Sequence, residues 1–219
     1  MRRLLFEKTG NAIWISHLDL MRLFQRAFKR AGLLLKHTQG FNPRPSVSIA
    51  LPLSVGVQSK CELLDFELEG CTLSGEEIRT RLNACLVEGV TVLDVYESGR
   101  KIRDLSLLQC KIVMEYDNPV SGDTAESVEN LFRQTSLVVP KKTKNGMQDQ
   151  NIIPLIRAIA VKQAGEMELQ IDALICCQNP TLNPAQLALA VCMHLPELQP
   201  SFTRCYREEV FDCNEVIFR

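Results

Sequence analysis

Ser16-His17-Leu18-Asp19-Leu20-Met21-Arg22-Leu23-Phe24-Gln25-Arg26-Ala27-Phe28-Lys29-Arg30-Ala31-Gly32 reads as a helix with both ends marked. Ser16 is a helix N-cap residue, and Asp19 three positions on gives a capping-box pattern. The helix is expected to run to Ala31, with Gly32 stopping it. At about 100° per residue, Arg22, Arg26, Lys29 and Arg30 fall within an arc of about 100°. Leu20, Met21, Leu23, Phe24, Ala27, Phe28 and Ala31 occupy the opposite side. One face is therefore built to pack on a sheet and the other to carry cations. Four cations on one face repel one another, and Asp19 relieves this only at the helix start.

Working outward from this helix gives the rest of the first half. Arg2–Lys8 before it reads as a strand. Val47–Leu53 reads as a strand after a Pro-rich loop, and Leu63–Glu69 alternates Leu64, Phe66 and Leu68 with acids, the pattern of a half-buried strand. Ser74 with Glu77 caps a second helix ending near Val87, and Thr91–Tyr96 closes the series. The order β-α-β-β-α-β is the ferredoxin-like arrangement. The second half repeats it loosely. An alternating run lies over 108–117, a helix over about 124–134, a short strand near 136–139 and a second alternating run over 167–175. Asn183-Pro184-Ala185-Gln186 opens another helix, and the last strand falls within 205–218. The stretch 141–165 fits worst. It starts with the basic loop Lys141-Lys142-Thr143-Lys144-Asn145-Gly146 and leaves room for a helix at 152–160. The expectation is an α+β protein of two tandem ferredoxin-like modules, antiparallel sheets with helices on one face. Module 1 would cover 1–97, a linker 98–106, and module 2 107–219.

Charge separates the halves. Residues 1–60 hold ten Lys and Arg against two acids, a net +8, whereas the remainder holds fifteen against twenty-four, a net −9. The whole-chain charge of −1 hides this. A basic first part suits a polyanion, although attraction between the halves accounts for the same numbers.

Composition excludes several classes. With 46% hydrophobic and 23% charged residues the 219-residue chain is that of a globular protein. No stretch approaches the ~20 apolar residues of a membrane span, and the apolar run after Arg3 is too short for a signal peptide core. A cytoplasmic location is expected. Nine cysteines lie scattered without a Cys-x-x-Cys pair, which suggests reduced thiols and argues against an iron–sulfur site held by this chain alone. No phosphate-binding or dinucleotide-binding Gly-rich motif occurs. Cys192, His194 and Cys205 lack a second close pair, so no metal is expected.

The segment His37-Thr38-Gln39-Gly40-Phe41-Asn42-Pro43-Arg44-Pro45 follows the basic helix. Pro43 and Pro45 fix their own φ and hold Asn42 and Arg44 extended, while Gly40 permits positive φ. The result is a stiff loop presenting Gln39, Phe41, Asn42 and Arg44. An aromatic ring, amides and a guanidinium together can stack on and hydrogen-bond an unpaired base. The alternative is a rigid turn whose Phe41 fills the core. Exposure of Phe41 and Arg44 separates the two.

Lys8-Thr9-Gly10, Ile15-Ser16-His17-Leu18-Asp19-Leu20-Met21-Arg22, Arg26-Ala27, Arg30-Ala31-Gly32, Thr38-Gln39-Gly40-Phe41-Asn42-Pro43-Arg44-Pro45 and Ala50-Leu51-Pro52-Leu53-Ser54-Val55-Gly56 resemble the radical-SAM-linked protein family, a domain of unknown function found alone or fused behind a radical SAM domain. The match is dense over residues 1–70 and loose afterwards. The family pattern has an acid and an Arg before the proline that follows the basic loop, and Asn151-Ile152-Ile153-Pro154 lacks both. The resemblance implies a radical SAM enzyme as partner, with S-adenosylmethionine and the iron–sulfur cluster belonging to that enzyme and no cofactor in this chain. The first module also resembles, at the level of fold, the repeat-associated RNA-processing proteins of CRISPR systems, which bind RNA through basic surfaces.

Three functions follow as expectations. The first is an RNA-binding accessory protein, non-catalytic by itself, using Arg22, Arg26, Lys29, Arg30, Gln39, Phe41, Asn42 and Arg44. The second is a module that docks the radical SAM enzyme through the same surface. The third is a metal-independent endoribonuclease in which His17, with His37 across the loop, performs acid–base cleavage.

Overall fold

The computed structural model describes residues 1–143 and 146–219. The chain divides into two compact units, Met1–Ile102 together with Arg219, and Arg103–Phe218. Among the described residues there are four α-helices and ten strands, an α+β composition.

The first unit runs β1 (Arg2–Lys8), α1 (His17–Arg30), β2 (Val47–Ile49), β3 (Gln58–Phe66), α2 (Gly75–Asn83) and β4 (Val90–Glu97). Its strand order is β4-β1-β3-β2 with antiparallel neighbours, so the two β-α-β halves interleave as in the ferredoxin-like arrangement. The ends of α1 follow from its sequence. Ser16 Oγ accepts the Asp19 amide at 3.2 Å. At the other end Gly32 takes φ +69°, and the Leu33 amide reaches back to the Phe28 carbonyl at 2.9 Å. Leu20, Phe24, Ala27 and Phe28 are buried on the sheet. Phe24 meets Phe6 edge-on with centroids 4.8 Å apart, and Phe28 lies 5.0 Å from Phe66. In α2 the Ser74–Glu77 capping box forms in both directions, but the helix stops at Asn83 rather than near Val87. The Asn83 amide bonds both the carbonyl and the N–H of Val92, which ties that end to β4.

The second unit runs β5 (Leu105–Glu115), α3 (Gly122–Phe132), β6 (Val138–Thr143), β7 (Gly146–Asn151), β8 (Ile156–Gly165), β9 (Glu168–Cys176), α4 (Ala185–His194) and β10 (Phe202–Asp212). Its sheet order β10-β5-β9-β8 repeats that of the first unit, with β6 and β7 inserted as a separate antiparallel hairpin. The expected helix at 152–160 does not form. Ile153–Leu155 makes one 3-10 turn and Ile156 enters β8. Pro154 suits a first turn because it has no N–H to donate, whereas Ile156, Ile159 and Val161 are β-branched residues that fit the edge of β9. Asn151, where the family pattern carries charge, is structural. Its side-chain oxygen accepts the amides of Leu137 and Ile153. The basic loop of the sequence is largely strand, Lys141 to Thr143 in β6 and Gly146 in β7, while Lys144 and Asn145 lie outside the described residues. The last strand starts earlier than expected, at Phe202.

All nine cysteines are free thiols. Burial pushes Cys177 up to about 12 and Cys205 up to about 11. Both stay protonated at neutral pH, which makes them poor nucleophiles and poor metal ligands.

Candidate nucleic-acid interface

The outer face of α1 is as cationic as its periodicity requires. Arg22, Arg26, Lys29 and Arg30 are all exposed, but they are not equivalent. Arg22 pairs with Asp19 at 3.0 Å. The Ser16 hydroxyl and then Arg22 hold the Asp19 carboxyl below the usual carboxylate range. Because the folded value lies below the unfolded one, the stabilisation that this carboxylate gives the start of α1 is complete at neutral pH. It is lost as the pH falls through the lowered value. Arg30 donates to the Cys85 carbonyl at 3.0 Å, which steadies its guanidinium without neutralising it. Arg26 and Lys29 have no ion-pair partner among the described residues. Ile15, Leu23 and Val87 supply apolar lining to a shallow groove that Asp19, Arg22 and Arg26 edge.

The loop after α1 is closed at its base and open at its tip. The Thr38 amide donates to the Arg44 carbonyl at 2.8 Å, and the Arg44 amide returns a bond to Thr38 Oγ1 at 3.0 Å. The Ser46 amide bonds the Lys36 carbonyl at 2.7 Å, and His37 bridges to Pro45. Gly40 sits at the tip with φ +136°, a backbone that a side chain would strain. Phe41 is fully exposed, and Gln39, Asn42 and Arg44 are exposed beside it. Phe41 therefore does not fill the core. Leu33, Leu35 and Phe66 belong to the core of this unit, and Phe41 does not.

His17 and His37 are not brought together. The Lys8 ammonium holds the Ile15 carbonyl at one end of β1. Lys36 bonds Glu67, just beyond the Phe66 that pairs with Arg2 at the other end. A seven-residue strand separates the two ends, which is about 20 Å. His17 Nδ1 is shielded and has no hydrogen-bond partner, so no neighbour orients it as a base. In the second unit His194 Nε2 lies 3.0 Å from the Val138 carbonyl. No group of three or more possible metal ligands occurs among the described residues. No helix there is long and apolar enough to cross a membrane.

The sequence reading gave Trp14 no role. It is the chain's only tryptophan, stands in the 3-10 turn Gly10–Trp14 before α1, and is 61% exposed.

Among solved structures, the chain is similar in fold to one in the crystal structure of a Cbf5-Nop10-Gar1 complex, with a TM-score of 0.52 at 9% identity. That match covers 95% of this chain and 48% of the other, so this chain spans about half its length. A chain of the archaeal box H/ACA sRNP Nop10-Cbf5 complex matches at a TM-score of 0.45 and 8% identity, over 94% of this chain and 46% of that one. An unknown protein from Galdieria sulphuraria matches at 0.27 and 11%, over 96% and 98%. No curated protein matches the sequence. Residues 2–184 match the model of a family described as uncharacterized protein conserved in bacteria (DUF2344), and the chain belongs to that family.

Proposed function

We propose that this protein is an RNA-binding accessory protein that works with a radical SAM enzyme and is not a catalyst by itself. One observation carries RNA binding: an exposed cationic helix face followed by a stiff loop whose aromatic ring stands in solvent. Arginine forks on α1 suit pairs of phosphate oxygens. Phe41 offers a ring on which a base can stack, and Gln39, Asn42 and Arg44 offer donors and acceptors for its edge. Fold likeness at 9% identity brings no ligand with it. The radical SAM partner rests on the sequence resemblance over residues 1–70.

Binding of a labelled structured RNA, read by filter retention at about 50 and about 200 mM salt, tests this. With about three phosphates contacted, affinity should fall roughly twenty- to fortyfold across that range. Binding that is insensitive to salt would remove the cationic face from the interface.

The full exposure of Phe41 favours a second reading, in which the loop docks the radical SAM enzyme. Co-purification with that enzyme should then be lost in Phe41→Ala and in Arg44→Ala. Unaltered association in both variants would take the loop out of any docking surface.

A further inference from the structure

The geometry points to Trp14 as a stacking platform for an unpaired base, which makes the RNA taken by this face single-stranded where it passes the start of α1. This rests on the RNA-binding reading and adds to it a residue and a substrate class.

Trp14 is held on both sides along the chain. The fully buried Lys8 ammonium donates to the Ile13 carbonyl at 3.0 Å and to the Ile15 carbonyl at 2.7 Å. The Ile13 carbonyl also accepts the Gly56 amide at 2.9 Å. Below, the Thr9 amide bonds the Gly89 carbonyl at 2.7 Å, and Ala12 is buried. The backbone that carries the indole is therefore fixed by a buried cation and two loops.

The ring is also backed by the protein. Gly56 has φ +84°, and a Cβ added there would lie 3.4 Å from Trp14 Cζ3 and 3.8 Å from Cη2. The glycine thus faces the six-membered ring of the indole across a space that a single added carbon would fill at contact distance. Although supported in this way, Trp14 remains 61% exposed. Large aromatic side chains usually bury most of their area. An indole held rigid from behind and left open loses little conformational freedom when something stacks on it.

Charge selects the occupant. Leu18 is exposed among the cations of α1, and Arg22 lies one turn further along the same face. An apolar protein partner would suit the exposed Trp14, Leu18 and Val55 but not the charges of Arg22 and Arg26, which edge the groove lined by Ile15, the chain neighbour of Trp14. A nucleotide supplies both a ring for the indole and a phosphate for the arginines. A duplex keeps the faces of its bases inside its own stack, so an unpaired base is required.

Because Trp14 is the only tryptophan, emission excited selectively at tryptophan rather than at the three tyrosines reports on this position alone. The probes are a twelve-nucleotide oligouridine and a blunt twelve-base-pair RNA duplex, each end-labelled so that anisotropy measures binding independently. Oligouridine should bind with saturable quenching of the Trp14 emission, and the duplex should leave that emission unchanged. Trp14→Ala should weaken oligouridine binding about tenfold, while Trp14→Phe should keep most of the affinity. Oligouridine binding without quenching, or with full affinity in Trp14→Ala, would overturn the platform and leave RNA binding by α1 standing. Quenching by the duplex equal to that by oligouridine would overturn the single-strand requirement. If neither RNA changes anisotropy, the RNA-binding reading falls and the platform falls with it.

Discussion

Asp65→Ala should lower the folding stability of the first unit by about 3–5 kcal/mol, the usual loss when one partner of a buried ion pair is removed. Arg3 on β1 and Asp65 on β3 are directly opposed in the sheet register. Arg3 Nε lies 2.6 Å from Oδ1 and Nη2 lies 3.0 Å from Oδ2, a two-pronged pairing. Nη2 also donates to the Arg100 carbonyl at 3.0 Å. The Arg3 side chain is fully buried and that of Asp65 is 8% exposed. Deleting the carboxylate takes the opposing charge from a guanidinium that water cannot reach, and Arg does not shed its proton to escape. Exposed pairs such as Arg2–Glu97 or Arg79–Glu76 should each cost under about 1 kcal/mol when broken. Urea unfolding followed by circular dichroism separates the two cases. The double variant Arg3→Met with Asp65→Leu should recover most of the loss, because it removes both buried charges and fills the site with apolar side chains. A single variant that unfolds at the same urea concentration as the parent would show that the pair is not the constraint its burial implies.

This pair also marks where reading the sequence stops. β1 and α1 were legible because their signals are local. Leu4-Leu5-Phe6 is a short apolar run between charged residues, Ser16 caps, Gly32 stops, and the apolar face repeats at helical spacing. Arg3 was not legible. No local pattern tells which of Arg2 and Arg3 is buried, and only the pairing of β1 with β3 puts Asp65 opposite Arg3, 62 residues away. The segment 152–160 was misread for a related reason. Its pattern is compatible with either period, and what decides it is the free edge of β9, an acceptor that no local window contains. The extra hairpin β6–β7 hid the second repeat by adding two strands between α3 and β8.

The candidate surface divides in the same way. Helical periodicity fixes which residues share the cationic face, so Arg22, Arg26, Lys29 and Arg30 could be placed before any coordinates. Whether Phe41 was core or surface depended on which apolar residues make up the core of the first unit, and these include Leu33, Leu35 and Phe66 but not Phe41. Trp14 was missed because hydrophobicity predicts burial for tryptophan. The groups that fix the backbone around it, the Gly56 amide and the buried Lys8 ammonium, are brought there only by the fold. The sequence holds one cue for this site, a lone tryptophan next to a helix cap, and that cue alone is too weak to assign a role.

Reversing Arg22, Arg26 and Arg30 together to Glu should reduce RNA affinity by at least about a hundredfold at low salt. The slope of affinity against salt should also flatten by two to three phosphates' worth. Each reversal removes a cation and adds an anion on the face that approaches phosphate. The three should not contribute equally. Arg26 has no ion-pair partner among the described residues, so Arg26→Glu should cost most. Arg30 keeps its charge while bonded to the Cys85 carbonyl, and its single reversal should follow. Arg22 already shares its charge with Asp19, so Arg22→Glu should cost least per residue. The fold should survive, because Leu20, Phe24, Ala27 and Phe28 hold α1 to its sheet from the other side. Arg133→Glu at the C-cap of α3, in the second unit, provides a control of the same chemistry and should leave binding unchanged. Affinity at several salt concentrations and circular dichroism, measured on the five variants and the parent, decide the matter. A folded triple variant that binds RNA as tightly as the parent would rule out the α1 face as the phosphate-contacting surface, whatever the loop and Trp14 do.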